Sequence, residues 1–156
     1  MKAPEHDDED VLRAIATSGA RSLMIGRRAL IMLGAPVLTN DYDVWAHIDD
    51  IEPLNQSFEA IGLYASKAPA EARRTGRYVF ENDLRVDVLV ARPASTPDGV
   101  VLTFDDAWAR RQSVDVGEGI TLDLPCIDDL ILTKRSGSRP KDMIDIQWLE
   151  VARRSR

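Results

Sequence analysis

Polar and apolar residues alternate over residues 41–47, and this alternation constrains the fold more than any other feature of the chain. Asp41 and Asp43 take alternate positions, and the residues between and after them are Tyr42, Val44 and Ala46. Strand side chains point alternately to the two faces of a sheet, so the pattern predicts a β-strand with both carboxylates on one face. Two unit charges about 4 Å apart repel by about 4 kcal/mol at an effective dielectric constant near 20. Such a pair is best tolerated in water or around a cation, and a pair of exposed loop acids is the alternative interpretation.

A third acid, Asp87, lies inside the apolar run at residues 84–90. A carboxylate among apolar strand residues is costly to bury unless it is ion-paired or bound to a metal. Arg85 lies two residues away on the same strand face and is one candidate partner. If this strand lies beside that of Asp41 and Asp43, three carboxylates converge. They then predict a site for two metal ions, because Mg²⁺ prefers oxygen ligands.

The remaining sequence predicts an α/β fold of the α+β kind, a small mixed β-sheet with helices packed on it. Strands are predicted over residues 22–25 and 120–124 and in a hairpin of 77–81 with 84–91. Helices are predicted over 11–18, 28–33, 53–61, 104–111, 127–135 and 141–151, and a polar loop over 67–75. No repeat or linker divides the chain. Residues 1–156 are therefore predicted to form a single domain, with a C-terminal helical segment at 126–156.

Composition and charge exclude several classes of protein. Apolar residues make up 44% and charged residues 29%, which are ordinary globular values, and no apolar stretch approaches the ~20 residues of a membrane span. The formal charge of −6 disfavours a long nucleic-acid track, although residues 134–156 hold seven Lys or Arg against three acids and could meet phosphate. A solvated helix face is the alternative there. Residues 1–5 lack the apolar segment of a secretory signal and Cys126 is the single cysteine, so we expect a soluble cytoplasmic protein without a membrane partner.

The predicted strand-to-helix turn at residues 24–29 contains Gly26. A backbone without a side chain can approach a phosphate closely, and amide groups at the start of a helix can bind an anion. A glycine that only lets a helix and a strand pack closely is the alternative. The turn alone is a weak signal, and its meaning depends on the acids that follow it.

Taken in this order, the glycine turn, the paired acids and the later strand acid resemble a minimal nucleotidyltransferase of the DNA polymerase β superfamily. The residues that match the family pattern are Gly26, Gly34, Thr39, Asp41, Asp43 and Asp87. The tail is similar to the C-terminal helices of small bacterial members related to abortive-infection and toxin–antitoxin nucleotidyltransferases, through Asp129, Leu130, Ile131, Lys134, Arg139, Lys141, Asp142 and Asp145. The resemblance covers about half of the chain and implies the nucleotidyltransferase (polymerase β-like) fold.

Two positions depart from the family pattern. Arg27 stands where the family usually has a second Gly or a Ser, and it either contacts the triphosphate or obstructs it. Val37 stands where related small proteins often carry an Arg, which removes one phosphate or acceptor contact. These departures leave the three acids intact and bear on the nucleotide pocket.

The resemblance implies an enzyme that transfers a nucleoside monophosphate, most simply AMP from ATP, to a hydroxyl group and releases pyrophosphate. Asp41 and Asp43 are then expected to hold the Mg²⁺ or Mn²⁺ ion that carries the triphosphate. All three acids are expected to hold a second ion, with Asp87 as a candidate acceptor of the hydroxyl proton. The expected nucleotide-binding residues are Gly26, Arg27, Thr39, Lys134 and Lys141. Surface lysines of an amphipathic helix are the alternative for the last two.

The implied acceptor is an RNA end, a protein or a small molecule, and a cognate toxin or antitoxin is a further expected partner. The alternative function is a catalytically degenerate binding module, an antitoxin or regulator that acts through a protein partner. Trp45, on the predicted face of the paired acids, is a candidate contact for a nucleobase or acceptor. His47 continues that face but is more typical of a structural histidine, and Trp108 and Trp148 are predicted to lie in the core.

Overall fold

Four strands form the central sheet of the computed structural model, which describes residues 6–137 and 139–155. They are β1 (Ser22–Ile25), β2 (Asp41–Ala46), β3 (Arg77–Glu81) and β4 (Arg85–Val90), and they lie side by side in the order β1-β2-β4-β3. β2 and β4 are parallel, whereas β1 pairs with β2 and β3 pairs with β4 in antiparallel fashion. The sheet is therefore mixed, as the sequence predicts.

The remaining elements surround this sheet. The helices are α1 (Asp8–Thr17), α2 (Gly26–Met32), α3 (Ile51–Glu59), α4 (Pro69–Thr75), α5 (Phe104–Ala109), α6 (Ile127–Gly137) and α7 (Pro140–Arg154), with a 3-10 turn at Ile48–Asp50. Two short antiparallel pairs complete the fold, β5 (Ala94–Ser95) with β6 (Val101–Leu102) and β7 (Gln112–Asp115) with β8 (Thr121–Leu124). None of the helices in the described ranges combines the length and apolar character that crossing a bilayer requires.

One face of the sheet carries the main hydrophobic core. Tyr42 and Val44 of β2 and Val86 and Val88 of β4 are buried there, because alternate strand residues point to the same side. Helices α1 and α3 cover this face with residues such as Phe58. Full burial of a side chain of this size contributes about 1.5–3 kcal/mol, so this face provides most of the apolar stabilisation.

The opposite face is divided into two parts. Leu23, Ile25 and Trp45 form a smaller buried cluster there with Phe104 and Ala107 of α5. Towards the beginning of β2 and β4, the same face carries acidic and basic side chains instead. An apolar half and a charged half therefore adjoin each other on one surface of the sheet.

The predicted strand at 22–25 and the hairpin are confirmed, and the predicted helices agree with the structure except at their ends. The polar loop predicted over 67–75 is wrong, because residues 69–75 form α4. Pro69 begins this helix and Gly76, with φ of 78°, ends it in the left-handed conformation. Proline in the first turn of a helix and glycine just after its last residue both favour the helix ends. Ala72, within α4, is buried against the rest of the protein. The absence of a secretory segment was inferred from residues 1–5, which lie outside the described residues.

Candidate active site

The parallel pairing of β2 with β4 brings the sequence-predicted acids together. Asp43 lies directly opposite Asp87, and Asp41 lies opposite Arg85. Neighbouring strands are about 4.7–4.9 Å apart, and residues paired in register point to the same face of the sheet. The structure therefore places the carboxylates of Asp41, Asp43 and Asp87 on one face, at the charged half described above.

Asp43 is the member of this group whose charge is least compensated. Burial raises the pKa of its carboxyl group above the ordinary value of 3.8, and the negative charges of Asp87 and Asp41 raise it further. Lys134 and Arg139 oppose this effect only in part. The protein thus holds a half-buried carboxylate in a place where a nearby cation would lower its free energy.

Asp87, in contrast, is held by two arginines. The Nε and Nη2 atoms of Arg85 donate to its two oxygens at 3.1 Å each, and Nη2 of Arg77 donates to Oδ1 at 3.1 Å. Burial opposes ionisation of Asp87, but these hydrogen bonds and charges lower its pKa below the ordinary value. The pairing with Arg85 that the sequence left open is present, and Arg77 adds a contact that the sequence analysis missed. The hairpin register, which sets Arg77 opposite Leu89 on this face, is the signal that could have revealed it.

Gly26 lies against the Asp43 carboxylate. Its φ of +69° belongs to the left-handed region, and a Cβ placed there would lie 2.5 Å from Asp43 Oδ2. Both the backbone conformation and the close approach therefore favour glycine at this position. The turn from β1 into α2 leaves space for the acid, and so Gly26 is part of the same site.

Comparisons with known proteins address the fold. The chain matches no protein-family model and no curated protein. Among solved structures, a proposed nucleotidyltransferase (TM1012) from Thermotoga maritima aligns with a TM-score of 0.62 over 91% of this chain and 89% of that chain, at 12% identity. The antibiotic-resistance factor ANT(2'')-Ia aligns with a TM-score of 0.58 over 94% of this chain and 89% of that chain, at 14% identity. The chain has a nucleotidyltransferase fold. The α+β class and the nucleotidyltransferase fold predicted from the sequence are thereby confirmed.

Within this nucleotidyltransferase fold, Arg27 does not point at the three acids. Its Nε donates to Asp145 Oδ2 of α7 at 3.3 Å. Lys134 of α6 donates to the same oxygen at 2.8 Å and also lies 3.7 Å from Asp142. Lys134 is only 6% exposed, so it is not a surface lysine of an amphipathic helix. Its charge lies near Asp43, whereas Lys141 is exposed.

Thr39 and Arg28 position the beginning of β2. The Thr39 hydroxyl accepts a hydrogen bond from the backbone N–H of Asp41 at 3.1 Å, and the Thr39 carbonyl accepts one from Arg28 at 3.0 Å. The Arg28 guanidinium is buried and lies over the ring of Tyr42, 4.2 Å from its centroid. Thr39 therefore acts here through the backbone that presents Asp41. Arg28 was not identified from the sequence, because nothing in its local pattern separates it from a surface helix residue.

The aromatic residues near the site are packed within the fold. Trp45 is 2% exposed and packs edge-on against Phe104, with ring centroids 5.4 Å apart. His47 Nδ1 accepts a hydrogen bond from the Asp49 backbone at 3.0 Å, which makes it the cap of the 3-10 turn. Trp108 and Trp148 are partly buried against the two apolar clusters, as predicted.

The carboxylate oxygens of the three acids are suitable ligands for a divalent cation, but their present arrangement is not a complete metal site. In residues 6–137 and 139–155, no three His, Cys, Asp or Glu side chains are grouped closely enough to hold a metal ion. The carboxylates of Asp41 and Asp43 have no hydrogen-bonded or ion-paired partner in that part of the chain, and oxygen ligands suit Mg²⁺. The residues therefore fit a cation at Asp41 and Asp43, and Asp87 joins them only when its arginines share or release an oxygen.

A polar cavity of about 500 Å³ opens beside Asp41, at the edge of the sheet where β2 and β4 begin. Arg28, Thr39, Asp41 and Arg85 line it, together with Asp8 from α1. The lining carries both positive and negative groups, so the cavity suits a polar, highly charged molecule accompanied by cations. It lies on one side of the acids, and an apolar cavity described below lies on the other.

Proposed function

We propose that this chain is a metal-dependent nucleotidyltransferase, which transfers a nucleoside monophosphate from a nucleoside triphosphate to a hydroxyl acceptor. AMP from ATP is the first donor to test. The observation that carries the proposal is the register of Asp43 with Asp87 beside Gly26, within a nucleotidyltransferase fold. In that arrangement the half-buried carboxylate of Asp43, which has no ion-paired partner in the described residues, lies beside two further acids and beside the glycine turn.

Each acid has a distinct role in this proposal. Asp41 and Asp43 would hold a Mg²⁺ or Mn²⁺ ion, and Asp87 would join them in holding a second. When bound, such ions stabilise the attacking and leaving oxygens of an in-line displacement. The acceptor oxygen forms a bond to the α-phosphorus, the bond from this phosphorus to the bridging oxygen breaks, and pyrophosphate leaves. The hydroxyl proton passes to a carboxylate of the same face, for which Asp87 is the candidate.

The other predicted residues support this centre in different ways. Gly26 leaves room for the Asp43 carboxylate, and Thr39 holds the backbone of Asp41. Lys134 is a positioning residue, because it binds α7 to α6 close to Asp43. Arg27 and Lys141 remain candidates for phosphate contact, Arg27 only after leaving Asp145.

The test is thermal unfolding with nucleotide and metal. We expect Mg²⁺ plus ATP to raise the melting temperature, by about 5–10 °C at saturation near a hundred times the dissociation constant. The double variant Asp41→Ala/Asp43→Ala abolishes this rise. Glu59→Ala, which removes an exposed acid at the end of α3, is the matched control and retains it. A rise that persists in the double variant would contradict the proposal.

The acceptor is identified by transfer of label. The protein is incubated with α-labelled nucleoside triphosphates and host lysate, and the labelled product is separated as RNA, protein or small molecule. The label must depend on Asp41, Asp43 and Asp87 each. Any labelling that survives all three single substitutions to Asn is not due to this site.

A second candidate function is a nucleotidyltransferase-like binding module, an antitoxin or regulator that acts through a protein partner. The observation that favours it is the engagement of both Asp87 oxygens by Arg77 and Arg85. A carboxylate compensated in this way has less need of a metal ion. If none of the four ribonucleoside triphosphates with Mg²⁺ or Mn²⁺ shifts the melting temperature, this function replaces the enzyme.

A further inference from the structure

An apolar cavity of about 240 Å³ lies on the side of the acids opposite to the polar cavity. Its sheet side includes Ile25, Trp45 and Leu89, and its helix side Thr133 and Ser136 from α6. The segment after β4 completes the lining with Arg92, Pro93 and Ala94. More apolar than polar surface lines it, in contrast to the cavity beside Asp41. The two cavities therefore suit different chemical parts of one molecule.

The apolar cavity is lined by close neighbours of the acids along the strands. Ile25 lies opposite Asp43 in the pairing of β1 with β2, and Leu89 follows Asp87 by two residues on the same face. Two strand residues span about 6.6 Å, so the cavity begins within one sugar ring of the carboxylates. A group bound there would be linked to phosphates at the acids through a short spacer such as a ribose.

Trp45, which lines this cavity, carries a polar atom without a partner. Its indole Nε1–H is buried and has no hydrogen-bond partner, a feature it shares within the described residues only with Asp145 Oδ1. Buried polar groups in native proteins are nearly always hydrogen-bonded, and an indole N–H can only donate. An unsatisfied donor among apolar walls is suited to a flat ring that carries an acceptor atom on its edge.

The two hydroxyl groups of α6 complement this donor. Thr133 Oγ1 donates to the carbonyl of Leu130 and Ser136 Oγ donates to the carbonyl of Thr133, both at 2.7 Å. Each hydroxyl has one hydrogen, so these oxygens face a ligand as acceptors only. Acceptors of this kind match an exocyclic amino group.

We propose that this cavity, called here the base pocket, binds the nucleobase of the donor nucleotide and prefers a base that carries an exocyclic amino group. Once the indole ring shifts enough to bring its buried Nε1–H to the cavity, Trp45 donates to a ring nitrogen or carbonyl oxygen of the base, and Thr133 and Ser136 accept from its amino group. This assignment rests on the proposed function, which places the phosphates at Asp41 and Asp43. It makes Trp45, Thr133 and Ser136 the residues that determine base specificity.

Fluorescence of Trp45 tests the occupant directly. In the variant Trp108→Phe/Trp148→Phe, Trp45 is the sole tryptophan. Adenosine, which has no phosphate, is expected to change its emission in a saturable manner, and uridine, which lacks an amino group, to bind at least about tenfold more weakly. Inorganic tripolyphosphate with Mg²⁺ leaves the emission unchanged. Equal binding of adenosine and uridine would overturn the preference.

Two surface substitutions distinguish an effect on the base pocket from a general effect on folding. Ser136→Leu fills the mouth of the cavity from an exposed position and is expected to weaken adenosine binding at least about tenfold. Thr17→Leu is the matched control, because Thr17 is also an exposed helical hydroxyl that donates to the preceding turn, on α1 beneath the other face of the sheet. Thr133→Val removes an acceptor at nearly constant volume and narrows the difference between adenosine and uridine. Equal affinities in Ser136→Leu and Thr17→Leu would overturn the assignment.

The phosphate site is tested separately from the base pocket. Tripolyphosphate with Mg²⁺ is expected to raise the melting temperature of the wild-type protein and not that of Asp41→Ala/Asp43→Ala. If this rise occurs and no nucleoside changes Trp45 emission, the base pocket is overturned while the proposed function stands. If adenosine binds but neither tripolyphosphate nor ATP acts through the acids, the proposed function fails, and with it the assignment of the pocket to the donor nucleotide.

Discussion

Two groups of acidic residues lie close together in this protein, and they are compensated in opposite ways. Asp142 and Asp145 on α7 are each 1% exposed, and both are ion-paired with Lys134. Asp142 also receives hydrogen bonds from the backbone and side chain of Arg139, and Asp145 one from Arg27. Asp43 on the sheet is buried to a lesser degree and has no such partner.

The pKa values express this difference. Burial opposes ionisation of Asp142, but the hydrogen bonds and charges of Arg139 and Lys134 lower its pKa below the ordinary value. For Asp43, burial and two neighbouring acids raise the pKa. The helical acids, Asp142 and Asp145, are thus stabilised by the protein itself, whereas Asp43 on the sheet is left without a compensating partner. A buried acid that the fold leaves uncompensated is the stronger candidate for function.

Removing the shared cation of the helical acids should have the largest effect on stability. Lys134→Met leaves Asp142 and Asp145 buried without their common partner, and breaking such a pair costs about 3–5 kcal/mol. We expect a loss of this size in the free energy of unfolding, measured by urea denaturation. Lys141→Met, which changes an exposed lysine seven residues away, should stay within about 0.5 kcal/mol of the wild type. Similar losses for both variants would show that the helical acids are compensated by other groups.

The dependence of stability on pH should have opposite signs at the two groups. The lowered pKa of Asp142 stabilises the fold above its unfolded-state pKa, and this contribution is lost as the pH falls through the folded-state value. The raised pKa of Asp43 means that its ionisation costs stability. That cost is absent below the unfolded-state value near 3.8 and is complete once the pH exceeds the folded-state value.

Two isosteric variants measure these signs. At neutral pH we expect Asp142→Asn to lose about 1.5–3 kcal/mol, because hydrogen bonds to a charged group are lost. Asp43→Asn should be as stable as the wild type or more stable. The Asp43 difference should disappear as the pH falls through its raised folded-state pKa to 3.8, whereas the Asp142 difference should shrink below pH 3.8. If Asp43→Asn is destabilised at neutral pH and recovers in acid, Asp43 is compensated by the protein and the comparison fails.

The sequence predicted the sheet acids far better than the helical acids. Strand periodicity assigns Asp41 and Asp43 to one face without further information, and the apolar run around Asp87 marks a buried strand. That the Asp87 strand lies beside the strand of Asp41 and Asp43 was stated as a condition, and the structure provides it through the pairing of β2 with β4. Local patterns were sufficient here because the side-chain period of a strand is short and regular.

Residues whose roles depend on distant contacts were not predictable in this way. Lys134 looked like a cation for phosphate, yet it is buried against acids that follow it by eight and eleven residues, across the junction of α6 and α7. Arg27 looked like a phosphate contact, yet it binds Asp145, 118 residues away. Helix packing sets these partners, and one sequence does not reveal which faces meet.

Substitutions at two glycines distinguish the effect of backbone strain from the effect of the site geometry. Gly26 and Gly34 both have positive φ, and an alanine in that conformation costs about 1–2 kcal/mol. Only at Gly26 would the added Cβ meet Asp43 Oδ2, the end of a movable side chain, while no atom lies within 4 Å at Gly34. We expect similar losses of stability in Gly26→Ala and Gly34→Ala, but loss of the nucleotide-dependent rise in melting temperature only in Gly26→Ala. Retention of the full rise in Gly26→Ala would place the nucleotide away from Asp43.

The smallest expected change in stability follows from removing an arginine that pairs with Asp87. Through Arg77 and Arg85, Asp87 is compensated by the protein in the way that the helical acids are. Arg85 is half exposed, so Arg85→Gln should lower the free energy of unfolding by less than about 1 kcal/mol. It also removes a positive charge beside the proposed cation, which is worth about 1 kcal/mol in a solvated site, or about a fivefold gain in Mn²⁺ affinity by calorimetry. Arg13→Gln, which breaks an exposed ion pair with Glu9 on α1, should leave Mn²⁺ affinity unchanged. Since loss of this charge should strengthen the binding of any cation held beside Asp87, an unchanged affinity in Arg85→Gln would place Asp87 outside the metal site and leave Asp41 and Asp43 as the metal-binding pair.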